Sequence, residues 1–524
     1  MEVVDIMEVA VMVMAITMEE GQEDLEVQED LEDQEDLEDQ EDLEDLEDQE
    51  DQAVLKEQAC QVQEQSVTNS TLAMMFQTPR LVEKQTSGPA NTSSVGSSVW
   101  SRSKNLTFYG RTEDLGNGHF FQTIFFSTQV THMVTQWGQF LDHDITLTPE
   151  NEEHDCCTRA FNASDECFPI GVSATDSFYS TKLVNCLEFS RSVAYCEENE
   201  GPRQQVNGIT SFVDASNVYG SDDDQAAFLR SFVDGKLKVG DNNLLPEIDG
   251  QESAGDVRAL EMPGLATMHT LFVREHNRIC DLIKAVRGSW TDEEVYLNAR
   301  RILVAEYQSV VYGQYLPVVL GSQNLNGLGL SEYGSSYDKD SNPAMTNEFA
   351  TASYRFGHSM IQGIIQMFAT DNSGKVDEYP LSENFFSTER YHYNAGQGME
   401  QILMGLVSQP AQKMDKEVSS ELTNLLFPEA GASFGSDLIA RNLQRGRDHG
   451  LPGFCCYYKK YHDTNANCND DWSEKYLGFS TDAWTQLQSI YAKPSDIDLF
   501  TGGIAQYPYK DGLTGKVFNK MKGN

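Results

Sequence analysis

Apolar residues recur at helical spacing through the middle of the chain. Leu265, Met268, Leu271, Phe272, Ile279, Leu282 and Ile283 fall on one face of a continuous helical pattern. Val295, Ala299, Ile302, Val310 and Tyr315 repeat it over 293–315, and Pro317 marks where that second helix is expected to stop. A third helical stretch carries Trp137-Gly-Gln139-Phe-Leu-Asp142-His143-Asp144. Alternating strand patterns are scarce and short. The body is therefore expected to be mainly α, one large helical domain with a few short strands.

The N-terminal part follows neither period. Over 23–51 the phrase Glu-Asp-Leu-Glu-Asp-Gln recurs, with one Leu about every six residues among carboxylates. Like charges repel at every spacing there, so an extended disordered tail is expected. Ahead of it, Val9 to Met18 has the length of a signal-peptide core, but Glu2, Asp5 and Glu8 stand where such a signal needs positive charge. A polar, Gln/Ser/Thr/Asn-rich linker follows. The expected organisation is an acidic segment at 1–52, a linker at 53–99 and a catalytic domain at 100–524. No run of apolar residues is long enough for a membrane-spanning helix.

Charge narrows the partners. Of the net −46, residues 19–52 account for 21 acidic groups with no Lys or Arg, leaving −25 on the rest of the chain. Such a surface repels phosphate backbones and anionic lipid heads, so neither nucleic acid nor a membrane surface is expected as a partner.

Half of the ten cysteines fall close together: Cys156, Cys157, Cys167, Cys186 and Cys196. Two adjacent cysteines do not share a metal in the Cys-x-x-Cys manner, whereas pairing with two downstream partners closes a compact knot. Disulfides imply an oxidising compartment, and the sequons at Asn69, Asn91, Asn105 and Asn162 agree with a secreted glycoprotein.

A lone histidine is usually structural, but the string around His143 is followed in order by further motifs. These are Thr210-Ser-Phe-Val-Asp214-Ala-Ser216-Asn-Val-Tyr-Gly220, Arg258-Ala-Leu-Glu261-Met262-Pro263 and Met268-His-Thr-Leu-Phe-Val-Arg-Glu-His-Asn277-Arg278. Tyr354-Arg355-Phe-Gly-His358 and Asn442-Leu-Gln-Arg445-Gly-Arg447-Asp-His-Gly450 complete the series. From about Trp100 to about Gln506 the chain resembles the animal haem peroxidases.

The resemblance implies haem b, with H2O2 as oxidant and a halide, thiocyanate or small aromatic donor as reductant. His143 resembles the base that moves a proton between the two peroxide oxygens, and Arg258 the cation that stabilises the leaving oxygen. His358 resembles the iron ligand, and Asn442 the partner of its other ring nitrogen. Arg355 and Arg447 resemble the residues that pair with haem propionates. Asp142 and Glu261 match positions that become esters to haem methyl groups. Met262 matches one that forms a sulfonium link in one member, which permits chloride oxidation, and Gln139 lies near the halide site.

Asp144 with Thr210, Phe212, Asp214 and Ser216 offers hard oxygens at alternate positions, suited to Ca2+, although an acidic turn is the plain alternative. Two other functions remain open. One is a non-catalytic adhesion protein with an extracellular-matrix partner. The other is a fatty-acid dioxygenase of the same superfamily, which needs a tyrosyl radical beside a long apolar channel. Both ends depart from the family pattern. A shortened C-terminal part is expected to leave one of Cys455, Cys456 and Cys468 unpaired.

Overall fold

The structure is a computed structural model. It describes residues 74–75 and 126–523, except 152–154, 159–164, 196–201, 249–250, 329, 331–340, 372, 462–470 and 473–477. All of these belong to the unit Thr71–Asn524. The acidic segment, most of the linker, the four sequons, Cys196 and Cys468 lie outside the described residues.

The unit is mainly helical, as the apolar spacing predicts. Among the described residues the strands pair in twos. Helix α1 (Met133–Ile145) and the short α2 (Ser216–Tyr219) precede the two longest helices among the described residues, α3 (Pro263–Val286) and α4 (Asp292–Val310). Pro263 sits at the first position of α3, where its missing N–H costs nothing and its fixed φ suits the helix. Helix α4 starts in a reciprocal cap: Glu294 N–H donates to Thr291, and Thr291 N–H donates back to the Glu294 carboxylate.

Two details of the helical expectation are corrected. Leu282 lies outside the buried stripe of α3, 45% exposed, while Leu265, Met268, Ile279 and Ile283 are buried. Pro317 does not end the second helix. The path widens into π-helical turns at Val311–Tyr315 and Pro317–Gly321, which tolerate a residue without an N–H, and the turn closes at Gly321 with φ +82°.

An aromatic nest locks α1 against α3 and α4. Phe140 stacks on Phe272 at 5.2 Å, and Trp137 meets Tyr307 at 5.3 Å. Such pairs add about 0.5–1.5 kcal/mol each beyond their burial. This packing fixes the rotation of α1, and so decides where Gln139, Asp142 and His143 point.

Strand β1 (Phe126–Thr131) leads into α1 and pairs antiparallel with β4 (Pro410–Gln412). The hairpin β2 (Ile364–Phe368) and β3 (Lys375–Pro380) pairs Ile365 with Tyr379. Helix α5 (Gln397–Ser408) packs on β2, where Gly405 meets the strand backbone, and α6 (Leu438–Asp448) follows. A smaller core of Ile170, Tyr179, Leu187, Phe189 and Ala440 sits beneath an arm stapled by Cys156–Cys167 and Cys157–Cys186. The two adjacent cysteines thus pair with separate downstream partners, as expected. Cys455 is disulfide-bonded and Cys456 is a free, exposed thiol. Among the described residues no helix is long and apolar enough to cross a membrane.

Candidate active site

One cavity of about 350 Å3 opens between α1, the N-terminus of α3, the 3-10 segment Ser353–Met360, β2 and α6. Helical periodicity puts Gln139, Asp142 and His143 on one face of α1, and all three line it. Arg258, Glu261 and Met262 reach it from the loop before α3, and Arg355 and His358 from the 3-10 segment. Residues far apart in sequence therefore share one enclosure.

Burial raises the carboxyls on this wall. Burial raises the Glu261 carboxyl to about 7, against the pull of Arg258, and Gln139 Nε2 donates to it at 2.8 Å. Burial also raises the Asp142 carboxyl, which accepts from Thr146 Oγ1 at 2.9 Å. His143 is pushed well below the usual imidazole range, first by burial and then by Arg258. Its ring is neutral and able to accept a proton. Nδ1 lies 3.6 Å from Asp256 Oδ1 and has no hydrogen-bond partner.

On the other wall, burial and then Arg355 lower His358 to about 3, leaving a neutral ring with a lone pair to offer. Asn442 is buried on α6, with its amide nitrogen 2.9 Å from His358 Nδ1 and its oxygen accepting from Arg355 Nη1 at 3.2 Å. Arg355 also donates to the Ala350 carbonyl at 3.0 Å. The hydrogen bonds of this guanidinium go to neutral groups, and its pKa is lowered to about 10 by burial.

Arg447 is corrected. Seen down α6 it lies about 140° around from Asn442, so it points away and is not among the residues lining the cavity. It donates to Asp498 twice, from Nε at 2.9 Å and Nη2 at 2.8 Å. Arg441 lines the cavity, whereas Arg445 one turn later does not, and both bind Glu150, which does. Neither was singled out from sequence, although their spacing of four residues places them on one face. Tyr315, Tyr354 and Tyr379 also line the cavity and were likewise missed.

Asp144 follows His143 by one residue and therefore turns away, into contact with the loop before α2. It is fully buried, with Ser216 Oγ donating to its Oδ1 at 3.1 Å and Ala215 N–H to its Oδ2 at 3.3 Å. Thr210 Oγ1 stands 3.2 Å from both Asp214 oxygens and 3.3 Å from Ser216 Oγ. Burial and then the Asp214 charge raise the Asp144 carboxyl to about 8. Phe212 exposes half of its side chain, so a contribution from it comes through the backbone carbonyl. Among the described residues no three His, Cys, Asp or Glu side chains gather as metal ligands, so a cation here depends on hydroxyl and carbonyl oxygens.

The sequence model described as animal haem peroxidase matches residues 118–524. Peroxidasin of Drosophila melanogaster is 32% identical, with 74% of this chain and 27% of the relative covered. Chorion peroxidase of Aedes aegypti is 34% identical, with 73% and 51% covered, and myeloperoxidase of Mus musculus 34%, with 74% and 57%. The chain thus spans between 27% and 57% of these curated relatives. Among solved structures, peroxidase A from Dictyostelium discoideum has a TM-score of 0.64 at 26% identity, with 80% of each chain covered. A fatty acid alpha-dioxygenase from Oryza sativa reaches 0.61 at 21% identity, with 76% of this chain and 68% of its own covered, a likeness of fold alone. With the family model laid over most of the residues and these relatives alongside, the chain belongs to the animal haem peroxidase family.

Proposed function

We propose that this chain holds haem b between His143 and His358 and reduces H2O2 to water while oxidising a halide, thiocyanate or small aromatic donor. One observation carries it: two neutral imidazoles line the same cavity, one beside a guanidinium and the other backed by a buried amide.

The residues present fit the group. Arg355 faces the cavity with only neutral hydrogen-bond partners, a cation suited to a propionate, while Asp142 and Glu261 present carboxyls, raised by burial, where ester links would form. Bound haem would supply an iron able to take two oxidising equivalents from peroxide. His358 would hold it through Nε2. Its Nδ1 would then carry the proton, and the Asn442 amide, whose nitrogen faces Nδ1 here, would turn its oxygen to accept from it, which raises the basicity of the ring. His143 would take a proton from the peroxide and return it to the leaving oxygen, whose negative charge Arg258 would stabilise. Gln139 and Glu261, joined by a hydrogen bond, border the same space and order the small donor. Met262 at the start of α3 supports a sulfonium link and, with it, chloride oxidation.

Ca2+ is the second proposed cofactor, held by Asp144, Asp214, Thr210, Ser216 and the Phe212 carbonyl. Two carboxylates forced together out of water favour a hard cation between them. Because Asp144 adjoins His143, the cation would also fix the aim of the imidazole. The paired disulfides support secretion.

Peroxide-dependent oxidation of iodide, bromide and chloride by the haem-loaded chain tests this function. Activity is expected in the parent and a loss of at least 100-fold in His143→Ala. Equal rates in both sink the assignment, and a parent that spares chloride at acidic pH removes the chloride claim.

A further inference from the structure

We propose that Asp256 is a positioning residue for the peroxide chemistry: its carboxylate fixes the Arg258 guanidinium and faces the back of the His143 ring, joining the two groups into one unit. The assignment rests on the roles given to His143 and Arg258 above.

Asp256 is buried, with its side chain 2% exposed. Oδ1 accepts from Arg258 Nε at 2.8 Å and from the Arg258 backbone N–H at 2.9 Å, and Oδ2 accepts from Nη2 at 2.8 Å. Two bonds to the guanidinium and one to the backbone N–H behind it leave the side chain little freedom. The same Oδ1 lies 3.6 Å from Nδ1 of His143, a residue on α1 more than a hundred positions earlier, and that nitrogen has no hydrogen-bond partner. The separation exceeds a neutral hydrogen bond but suits an ion pair, so the contact strengthens when the ring becomes charged.

The loop holding the carboxylate is itself pinned. Ala259 N–H donates to the Asp256 carbonyl and Glu261 N–H to that of Arg258. Gly255 packs on the start of α2, where an added Cβ would come within 2.6 Å of the Asn217 carbonyl oxygen.

Charge gives the arrangement a purpose. Peroxide chemistry asks a neutral imidazole to accept a proton beside a permanent cation, and like charges oppose that step. A fixed anion shared by both offsets the opposition. The shared anion stands 2.8 Å from the guanidinium and 3.6 Å from the imidazole, close enough to act on both. The other titratable groups facing this space are His269, neutral on α3, and the carboxyls of Asp142 and Glu261. An ion pair serving the fold alone has no need to face the open nitrogen of His143.

The test uses the full haem-loaded chain with Asp256→Asn and Asp256→Glu. Hydrogen cyanide must give up its proton to bind ferric haem as the anion, so its association rate reads proton acceptance without turnover. Asp256→Asn is expected to slow cyanide association and lower kcat/KM for peroxide, both by about tenfold or more. KM for iodide should stay the same, and Asp256→Glu should recover part of the loss. Cyanide association at the parental rate in Asp256→Asn overturns the proposal, even if its urea midpoint falls. Where Asp256→Asn takes no haem, the apo chain labelled with 15N-histidine decides. The His143 signal, assigned by its loss in His143→Gln, should show Nδ1 protonated in the parent and a changed tautomer in the variant, and an unchanged tautomer is the refuting result. A parent that binds neither haem nor cyanide refutes the peroxidase function first, and the role of Asp256 with it.

Discussion

Replacing Arg447 by Met separates the two roles that this residue can have. Arg447 and Asp498 are each 16% exposed and joined by two hydrogen bonds, and Tyr491 Oη donates to the same carboxylate at 2.7 Å. Removing the guanidinium leaves Asp498 enclosed with one neutral donor. Breaking a buried pair in this way costs about 3–5 kcal/mol, and partial exposure places this one near the lower end, about 3 kcal/mol. Urea unfolding of the apo chain, followed by far-UV circular dichroism, reads the loss as a lower midpoint at constant slope. Asp498→Asn in the same chain should return part of it, because the stranded charge disappears with its partner. Haem affinity should stay within about twofold, whereas Arg355→Leu, which removes a cation from the cavity, should weaken it about tenfold or more. An Arg447→Met chain with its parental urea midpoint and a tenfold weaker hold on haem would refute the placement of Arg447.

Two further outcomes follow from the same structure. Glu261 has a folded-state pKa of about 7 against an ordinary 4.5, so its contribution to stability is complete below about pH 4.5 and lost as pH rises through 7. The shift alone corresponds to about 3 kcal/mol, and the open cavity side reduces that to about 2. Apo Glu261→Gln should lack this part of the decline between pH 5 and 8, and parallel stability curves for the two chains would contradict it. Added Ca2+ should raise the stability of the parent by about 2.7 kcal/mol at a hundred times its dissociation constant, and not that of Asp214→Ala. An equal rise in both would place the cation elsewhere.

What could be read from the letters depends on how local the cause is. Gln139, Asp142 and His143 share a face because of helical periodicity alone, and Asp144 faces the other way for the same reason. That Cys156 and Cys157 take two downstream partners was similarly legible, while which cysteines those are was not. Leu282 and Pro317 were misplaced because packing partners and π-helical widening are decided outside the segment. Arg447 was placed by motif resemblance, whereas rotation about α6 brings Arg441 to the cavity instead. Asp256 could not be found at all from its neighbours. Two residues before Arg258 it resembles an ordinary turn former, and its contact with His143 exists only once α1 is folded against the loop.

The most direct measurement is a haem titration of the full chain followed by its visible spectrum, in the parent and in His358→Ala. The parent should take one equivalent of haem, show a Soret band that moves when cyanide is added, and lose that band's position and most of its affinity in His358→Ala. A parent that binds no stoichiometric haem, or a His358→Ala chain with the parental spectrum and affinity, would contradict a haem held between His143 and His358.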